Sequence, residues 1–355
     1  MQFYPIKVRQ LDRSTQDCTI VTLDVTPELH DQFQYKQGQY LNLKTQINGE
    51  EIRRSYSLCS SPLDNEWKIG VKKVQDGKFS SFVHDELNEG DELEVALPDG
   101  RFYVDCSESS QRNYVAFAAG SGITPILSII KTHLTSEPNA TFKLFYVNQS
   151  VATIMLKEEL EALKNRFMNR LEVYHFLTQE ERDVALFNGR ITEEKLATLF
   201  KTICDVDALD HYFICGPEGM IFTIRDFLDD LGVEKKQIHF ELFGTAGAGK
   251  KKKATKAFDG KVSDVTVMEG GKSINFRTSQ GVNNILDEAL KNNADLPFAC
   301  KGGVCCTCKA KLVEGQVDMQ VNYGLEDDEV ENGYILTCQA VPISDKVVVD
   351  FDVKG

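Results

Sequence analysis

Alternation of apolar and polar residues dominates the first hundred positions. Ile20-Val21-Thr22-Leu23-Asp24-Val25, Gln39-Tyr40-Leu41-Asn42-Leu43 and Glu92-Leu93-Glu94-Val95-Ala96-Leu97 alternate or are β-branched, and turn signals such as Glu89-Gly90-Asp91 and Pro98-Asp99-Gly100 separate them. Short strands at this spacing predict a small β-barrel over residues 1–106. Near Asn113 the period changes. An apolar run at 114–119 leads through Gly120 into helical spacing over 125–134. A second strand at 142–147 precedes a helix over 156–167, and a third at 211–214 ends at Cys215-Gly216-Pro217, ahead of an amphipathic stretch at 220–231. Strands alternating with helices predict a parallel α/β sheet over residues 107–243. Residues 258–355 read as a third, mostly β unit with one helix at 284–290.

The stretch 244–257 carries five lysines, no acid and no core-forming pattern, and reads as a flexible linker. Its Gly244-Thr245-Ala246-Gly247-Ala248-Gly249-Lys250 nearly matches a phosphate-binding loop. Lys251 replaces the Mg²⁺-binding Ser or Thr, however, and no apolar-periodic helix follows. The nucleotide reading of this loop is set aside.

Composition narrows the class. A chain of 355 residues, 42% hydrophobic and 26% charged, is long enough for two or three globular domains and is not collagen-like, mucin-like or wholly disordered. A net charge of −14 repels phosphate backbones, so nucleic acid is not an expected partner. The last unit is itself acidic and follows a basic linker, which points to a docking surface for a basic partner. No run approaches the ~18 apolar residues of a membrane span, and the N-terminal residues lack the apolar core of a secretory signal. A cytoplasmic location without membrane contact is expected.

Ten cysteines in such a chain point to metal or redox chemistry. Cys300, Cys305 and Cys308 give Cys-x4-Cys-x2-Cys, and Cys338 follows with 29 residues between. This is the plant-type [2Fe–2S] spacing, in which each of two irons takes two thiolates. Gly302 and Gly303 suit a loop that wraps closely around sulfur and turns N–H groups toward it. Zinc sites pair their cysteines locally, whereas Cys338 has no near partner. Cys306 falls between ligands and reads as a bystander. The region resembles plant-type ferredoxins over its whole length, which implies a β-grasp fold. The acidic run Glu326-Asp327-Asp328-Glu329 with Glu331 reads equally as a solvated helix face or as a docking face of the kind ferredoxins use.

Further upstream, Arg54-Ser55-Tyr56-Ser57-Leu58 ends a barrel strand with groups suited to a flavin: a ring to lie on the isoalloxazine, a cation for a phosphate, and a hydroxyl for the reactive ring edge. Gly77-Lys78-Phe79-Ser80 opens a helix over 80–87 whose N-terminus suits a pyrophosphate. Gly120-Ser121-Gly122-Ile123-Thr124-Pro125 joins strand to helix. Its glycines admit a pyrophosphate, and Pro125 fits a first helical turn. Cys215-Gly216-Pro217 ends a later strand at the same sheet edge, and Glu241-Leu242-Phe243 closes the domain.

In this order the motifs resemble the ferredoxin-NADP reductase family over residues 1–243. The resemblance implies that Arg54, Tyr56, Ser57, Leu58, Gly77, Phe79 and Ser80 hold FAD. It assigns Gly120, Gly122, Thr124, Pro125, Cys215, Gly216 and Pro217 to the nicotinamide nucleotide, with Cys215 beside the hydride path. Glu241 and Phe243 are then expected near the flavin, with Ser57, Cys215 and Glu241 as the catalytic set. The full order of flavin barrel, nucleotide domain, linker and C-terminal ferredoxin is similar to reductase components of bacterial oxygenases. It implies an NAD(P)H-dependent oxidoreductase that passes electrons through FAD and a [2Fe–2S] cluster to an oxygenase docking near the acidic domain. NADPH is expected over NADH because Asn148-Gln149-Ser150 carries no acid, although the Arg usual in NADPH-preferring relatives is also missing. Another acceptor, such as an aromatic hydroxylase or a hybrid-cluster protein, stays open, as does a cluster-bearing redox sensor.

Overall fold

The structure, a computed structural model, describes residues 1–243, 260–298 and 300–353; the linker expected at 244–257 lies outside the described residues. Contacts divide the chain into two compact units, one of residues 2–243 and one that follows the linker stretch.

In the first unit, β1 (Phe3–Thr15), β2 (Cys18–Asp24), β3 (Tyr40–Ile47), β4 (Glu50–Ser57), β5 (Trp67–Lys72) and β6 (Glu92–Ala96) form an antiparallel sheet in the order β4-β3-β6-β1-β2-β5. A bridge between Leu58 and Ile69 joins its two ends, with Cys59 N–H donating to Lys68 O at 2.8 Å. The sheet therefore curls into a barrel. Alternate residues point inward, Val21 and Leu23 from β2, Leu41 and Leu43 from β3, Ile69 and Val71 from β5, as the period of two requires. The helix α1 (Lys78–Asp85) buries Phe79 and Val83 against this core. It starts two residues earlier than the sequence pattern predicts.

The second sheet of this unit is parallel. It is built from β7 (Asn113–Ala119), α2 (Ile123–Ser136), β8 (Thr141–Asn148), α3 (Lys157–Arg166), β9 (Leu171–Leu177), α4 (Glu193–Thr202), β10 (His211–Gly216), α5 (Glu218–Asp230) and β11 (Ile238–Leu242), with strand order β11-β10-β7-β8-β9. From β7 the chain winds outward to β9 and then returns to the other side of β7. The order reverses between β7 and β10, the place where open α/β sheets leave a crevice at the carboxyl ends of their strands. Gly120–Thr124 and Cys215–Pro217 both emerge there.

Hydrogen bonds tie α2 to the barrel. Ser128 Oγ donates to Ser60 O at 2.6 Å, and the hydroxyls of Ser61 and Thr132 lie 2.8 Å apart. Nearby, Cys106 Sγ lies 3.5 Å from His133 Nδ1, which is 3.3 Å from Glu137 Oε2. Gln37 Nε2 donates to Val104 O at 2.6 Å and faces His133 Nε2 at 3.4 Å. That leaves Nε2 as the acceptor and the proton on Nδ1, facing the carboxylate. Burial would raise the Glu137 carboxyl. Hydrogen bonds from His133, Ser107 N–H and Tyr114 outweigh it and hold the group down at about 2. A carboxyl depressed on folding stabilises above its unfolded value and loses that contribution as pH falls toward the folded one. Glu137→Gln should therefore cost roughly 1.5–3 kcal/mol at pH 7, and the gap to wild type should narrow below about pH 4.5. Urea unfolding from pH 7 to 4, followed by the fluorescence of Trp67, checks this; a gap that is constant with pH refutes it.

The other unit comprises β12 (Val262–Glu269), β13 (Lys272–Ser279), α6 (Ile285–Lys291), β14 (Lys309–Glu314), β15 (Val317–Met319), α7 (Asp327–Glu331), β16 (Tyr334–Leu336), β17 (Ala340–Pro342) and β18 (Lys346–Asp350). Its five-stranded sheet runs β13-β12-β18-β14-β16, and β15 pairs with β17. Asn284 caps α6 by accepting from Asp287 N–H at 2.8 Å. Ile285, Leu286 and Ala289 then pack on Val265, Val267 and Val347, giving the β-grasp arrangement of one helix laid on a mixed sheet. Among the described residues no helix is long and apolar enough to cross a membrane.

Candidate functional site

Ser57 is the last residue of β4, and its Oγ donates to Glu241 Oε2 at 2.9 Å across 184 positions of sequence. Glu241 lies on β11 in direct register with Cys215 on β10. The parallel ladder thus delivers the thiol and the carboxyl side by side, and the barrel rim brings the hydroxyl to them. The three expected catalytic residues stand together. Desolvation raises the Glu241 carboxyl to about 8 against the lowering effect of the Ser57 hydrogen bond. Burial likewise lifts the Cys215 thiol well above its ordinary value; this is a neutral sulfur, not a nucleophilic thiolate.

Two glycines make the crevice narrow. A Cβ on Gly122 would sit 2.2 Å from Cys215 O, and one on Gly216 would meet Ala119 Cβ at 2.9 Å. Gly120 has φ +53°, where glycine avoids the left-handed penalty. Thr124 Oγ1 donates to Ser121 O at 2.9 Å and locks this turn, while its methyl lies against Gly70 of β5. Pro125 follows in the first turn of α2 and is buried. The role of Gly70 has only a faint mark in the sequence, a lone glycine within a strand pattern. The residues expected to hold the nicotinamide nucleotide thus lie together at the switch point. Phe243, the next residue after β11, is partly exposed.

The residues expected to hold the flavin lie along β4 and α1 and beside them. Tyr56 faces Phe79 with ring centroids 5.5 Å apart, and the Phe79 ring is sunk in the barrel core. Phe79 therefore backs Tyr56 from inside the barrel. Ser80 Oγ donates to Gly77 O at 3.3 Å and accepts from Val74 N–H. A Cβ on Gly77 would strike Ser80 Oγ at 2.4 Å, so this tight turn sets the direction of the first N–H groups of α1, which no helix satisfies internally. Arg54 Nη1 donates to Arg53 O at 2.7 Å. Leu58 is buried at the bridge that closes the barrel. A hydroxyl held by a buried carboxyl, an aromatic face and the N–H groups at the start of α1 together fit a flavin dinucleotide.

In the ferredoxin-like unit, Cys300 is hydrogen-bonded to Cys305 and Cys308 to Cys338. Cys305 and Cys308 are near enough to interact by charge, as are Cys300 and Cys338. Two pairs of thiols in one place are the donor set of a two-iron cluster. The Cys305 thiol and the N–H groups of Gly302, Val304 and Cys305 pull the Cys300 sulfur below its ordinary value against burial; Gly302 N is 3.3 Å away. Gly303 N–H points at Cys338. Gly303 has φ +77°, and a Cβ there would meet Val321 O at 2.9 Å. Cys306 turns elsewhere, its Sγ donating to Gly324 O at 2.7 Å. The acidic run forms α7, exposed apart from Glu329, which pairs with Lys309 at 3.0 Å.

Comparison with known proteins agrees with this layout. The FAD-binding domain of oxidoreductases matches residues 5–103, the oxidoreductase NAD-binding domain residues 117–226, and the 2Fe-2S iron-sulfur cluster binding domain residues 267–342. One component of the 1,2-phenylacetyl-CoA epoxidase of Escherichia coli K12 is 40% identical over 99% of both chains. The ferredoxin reductase component of the 3-ketosteroid-9-alpha-monooxygenase of Rhodococcus rhodochrous is 30% identical over 98% of this chain and 96% of its own. Among solved structures, phthalate dioxygenase reductase, a modular protein for electron transfer from pyridine nucleotides to [2Fe–2S], has a TM-score of 0.62 at 25% identity and covers 98% of each chain.

Proposed function

Because this chain belongs to the family of oxygenase reductase components that join FAD-binding, NAD-binding and 2Fe-2S domains, we propose that it takes a hydride from NADPH and delivers single electrons to a diiron 1,2-phenylacetyl-CoA epoxidase. The observation that carries the partner is likeness along the full length, 40% over 99% of both chains, to a component of that epoxidase. Other relatives are reductase components of a ketosteroid monooxygenase and of glycine betaine monooxygenase. An oxygenase thus stands as acceptor throughout these relatives, and its substrate varies.

When bound, FAD supplies the change from two-electron to one-electron chemistry, and the [2Fe–2S] cluster supplies the one-electron relay. The chain's own residues bind and orient. Tyr56, backed by Phe79, offers a face to the flavin ring, and Arg54 with the first turn of α1 offers positive charge to the phosphates. Thr124, Gly120, Gly122 and the turn Cys215–Pro217 hold the nucleotide at the switch point. Glu241 accepts from Ser57 Oγ and fixes that hydroxyl at the barrel rim, where it would hydrogen-bond a bound flavin. Cys300 with Cys305, and Cys308 with Cys338, would each hold one iron.

NADH is the second reading of the donor. Glu180 Oε2 accepts from Val151 N–H at 2.8 Å, so a carboxylate stands closer to the turn after β8 than the local sequence implies. The ratio of kcat/KM for the two nucleotides decides between them. For the whole reading, anaerobic titration of the purified protein with NADPH should bleach flavin and cluster absorbance together, and addition of the epoxidase should reoxidise both. Flavin bleaching over a cluster that stays oxidised overturns the internal path. Reoxidation by an unrelated oxygenase, with none by the epoxidase, overturns the partner.

A further inference from the structure

Gln339 follows the last thiol of the cluster set directly, and its side chain spans two parts of the site. Nε2 donates to Lys301 O at 3.0 Å and to Cys338 Sγ at 3.6 Å. One amide therefore links the loop that carries Cys300, Cys305 and Cys308 to the separate segment that carries Cys338. The orientation of the amide is fixed by chemistry: a carbonyl oxygen must face the NH₂ and not its Oε1. With one N–H committed to Lys301 O, the other is free for the sulfur. The backbone is pinned as well, since Gln339 N–H donates to Leu336 O at 2.8 Å and Gln339 O accepts from Gln320 N–H at 3.1 Å. The stem is held against the loop, where Gln339 Cγ lies 3.1 Å from the place a Gly303 Cβ would take.

Resting on the reading that these four thiols hold a [2Fe–2S] cluster, we propose that Gln339 is a positioning residue that sets the reduction potential of the cluster. Reduction adds one electron, and negative charge grows on the ligand sulfurs. A donor aimed at Cys338 Sγ therefore stabilises the reduced form more than the oxidised one and raises the potential. The same amide fixes the distance between loop and fourth ligand, so the donor cannot swing away. Cys338 also receives the Gly303 N–H. The Thr307 hydroxyl serves the Cys305 sulfur in a similar way, but it lies within the loop and ties no second segment to it.

The test is a potentiometric titration of the full-length protein with its cofactors, following cluster absorbance and the EPR signal of the reduced cluster. Gln339→Met keeps the length of the side chain and removes the donor. Its one-electron equilibrium should shift roughly tenfold toward the oxidised cluster, which is ~59 mV lower. Gln339→Glu should shift it further in the same direction, because an acceptor with negative charge then faces the sulfur. If Gln339→Met does not retain iron, Gln339→Asn carries the same expectation, since it keeps the amide but is one methylene too short for both acceptors. Unchanged potential and EPR shape in variants with full iron content overturn the proposal. Wild-type protein with no [2Fe–2S] spectrum would instead overturn the ligand reading on which it rests.

Discussion

Cys338→Ala is expected to abolish electron delivery to one-electron protein acceptors while leaving the flavin half of the molecule active. Reduction of cytochrome c by NADPH should fall by more than ~100-fold, since loss of even an outer partner of a metal ligand costs about 10–100-fold. Reduction of ferricyanide, which draws on the flavin directly, should stay within about twofold. The expectation follows from how the thiols are distributed. Cys300, Cys305 and Cys308 share one loop, whereas Cys338 comes from the segment after β16 and is paired with Cys308. Removing it leaves one iron with a single thiolate. Cys306→Ala is the matched control. Its sulfur is committed to Gly324 O, so the variant should load a full cluster and keep both activities. Equal loss in the two variants would mean that Cys306 belongs to the ligand set after all. Equal retention would mean that the cluster is held without Cys338.

The ferredoxin-like unit is readable from sequence because its signal is local. Three of its four ligands fall within nine residues, and the spacing is imposed by the geometry of iron and sulfide. The barrel strands that alternate cleanly are equally open to reading. β1 is not: Ile6 and Val8 are its only fully buried residues in thirteen, so no apolar face stands out. β9 and α4 are faint for related reasons. β9 is an edge strand with a half-exposed middle, and α4 buries only Leu196 and Leu199. At the site, Ser57, Cys215 and Glu241 each carry a local motif, but their meeting depends on a strand pairing and on a contact across 184 residues. The Gln37–Cys106–His133–Glu137 strut has no sequence signal, because its members come from three separate segments and each alone is ordinary. Gln339 is equally silent, since a polar residue after a ligand means nothing until its reach to Lys301 O is seen.

Gly122→Ala should produce the largest loss at the nucleotide site from the smallest change of side chain. Gly122 has helical dihedrals, φ −60° and ψ −10°, so backbone strain gives no reason for glycine here. By propensity alone, alanine at the start of α2 would be neutral or favourable by up to about 1 kcal/mol. Sterics reverse the sign. The new methyl would lie 2.2 Å from Cys215 O, 2.6 Å from Cys215 C and 3.0 Å from Gly216 N. All three are main-chain atoms on β10, which is held by parallel ladders to β7 and β11. No rotamer change relieves such a contact, so the turn and the strand end must separate. Overpacking of this kind costs roughly 1–3 kcal/mol, and the separation occurs where Thr124, Cys215 and Glu241 are aligned. A displacement near 1 Å at a reacting centre can cost about 10²-fold, so kcat/KM for NADPH with ferricyanide should fall by about that factor, with Tm lowered by several degrees. Gly219→Ala separates the steric cause from any general effect of losing a glycine. It lies in α5, and its Cβ would meet nothing within 4 Å, so that variant should be as active as wild type and slightly more stable. Wild-type kinetics in Gly122→Ala would mean that β7–α2 and β10 do not press together as closely as 2.2 Å implies, and the crevice would then need another explanation for its two glycines.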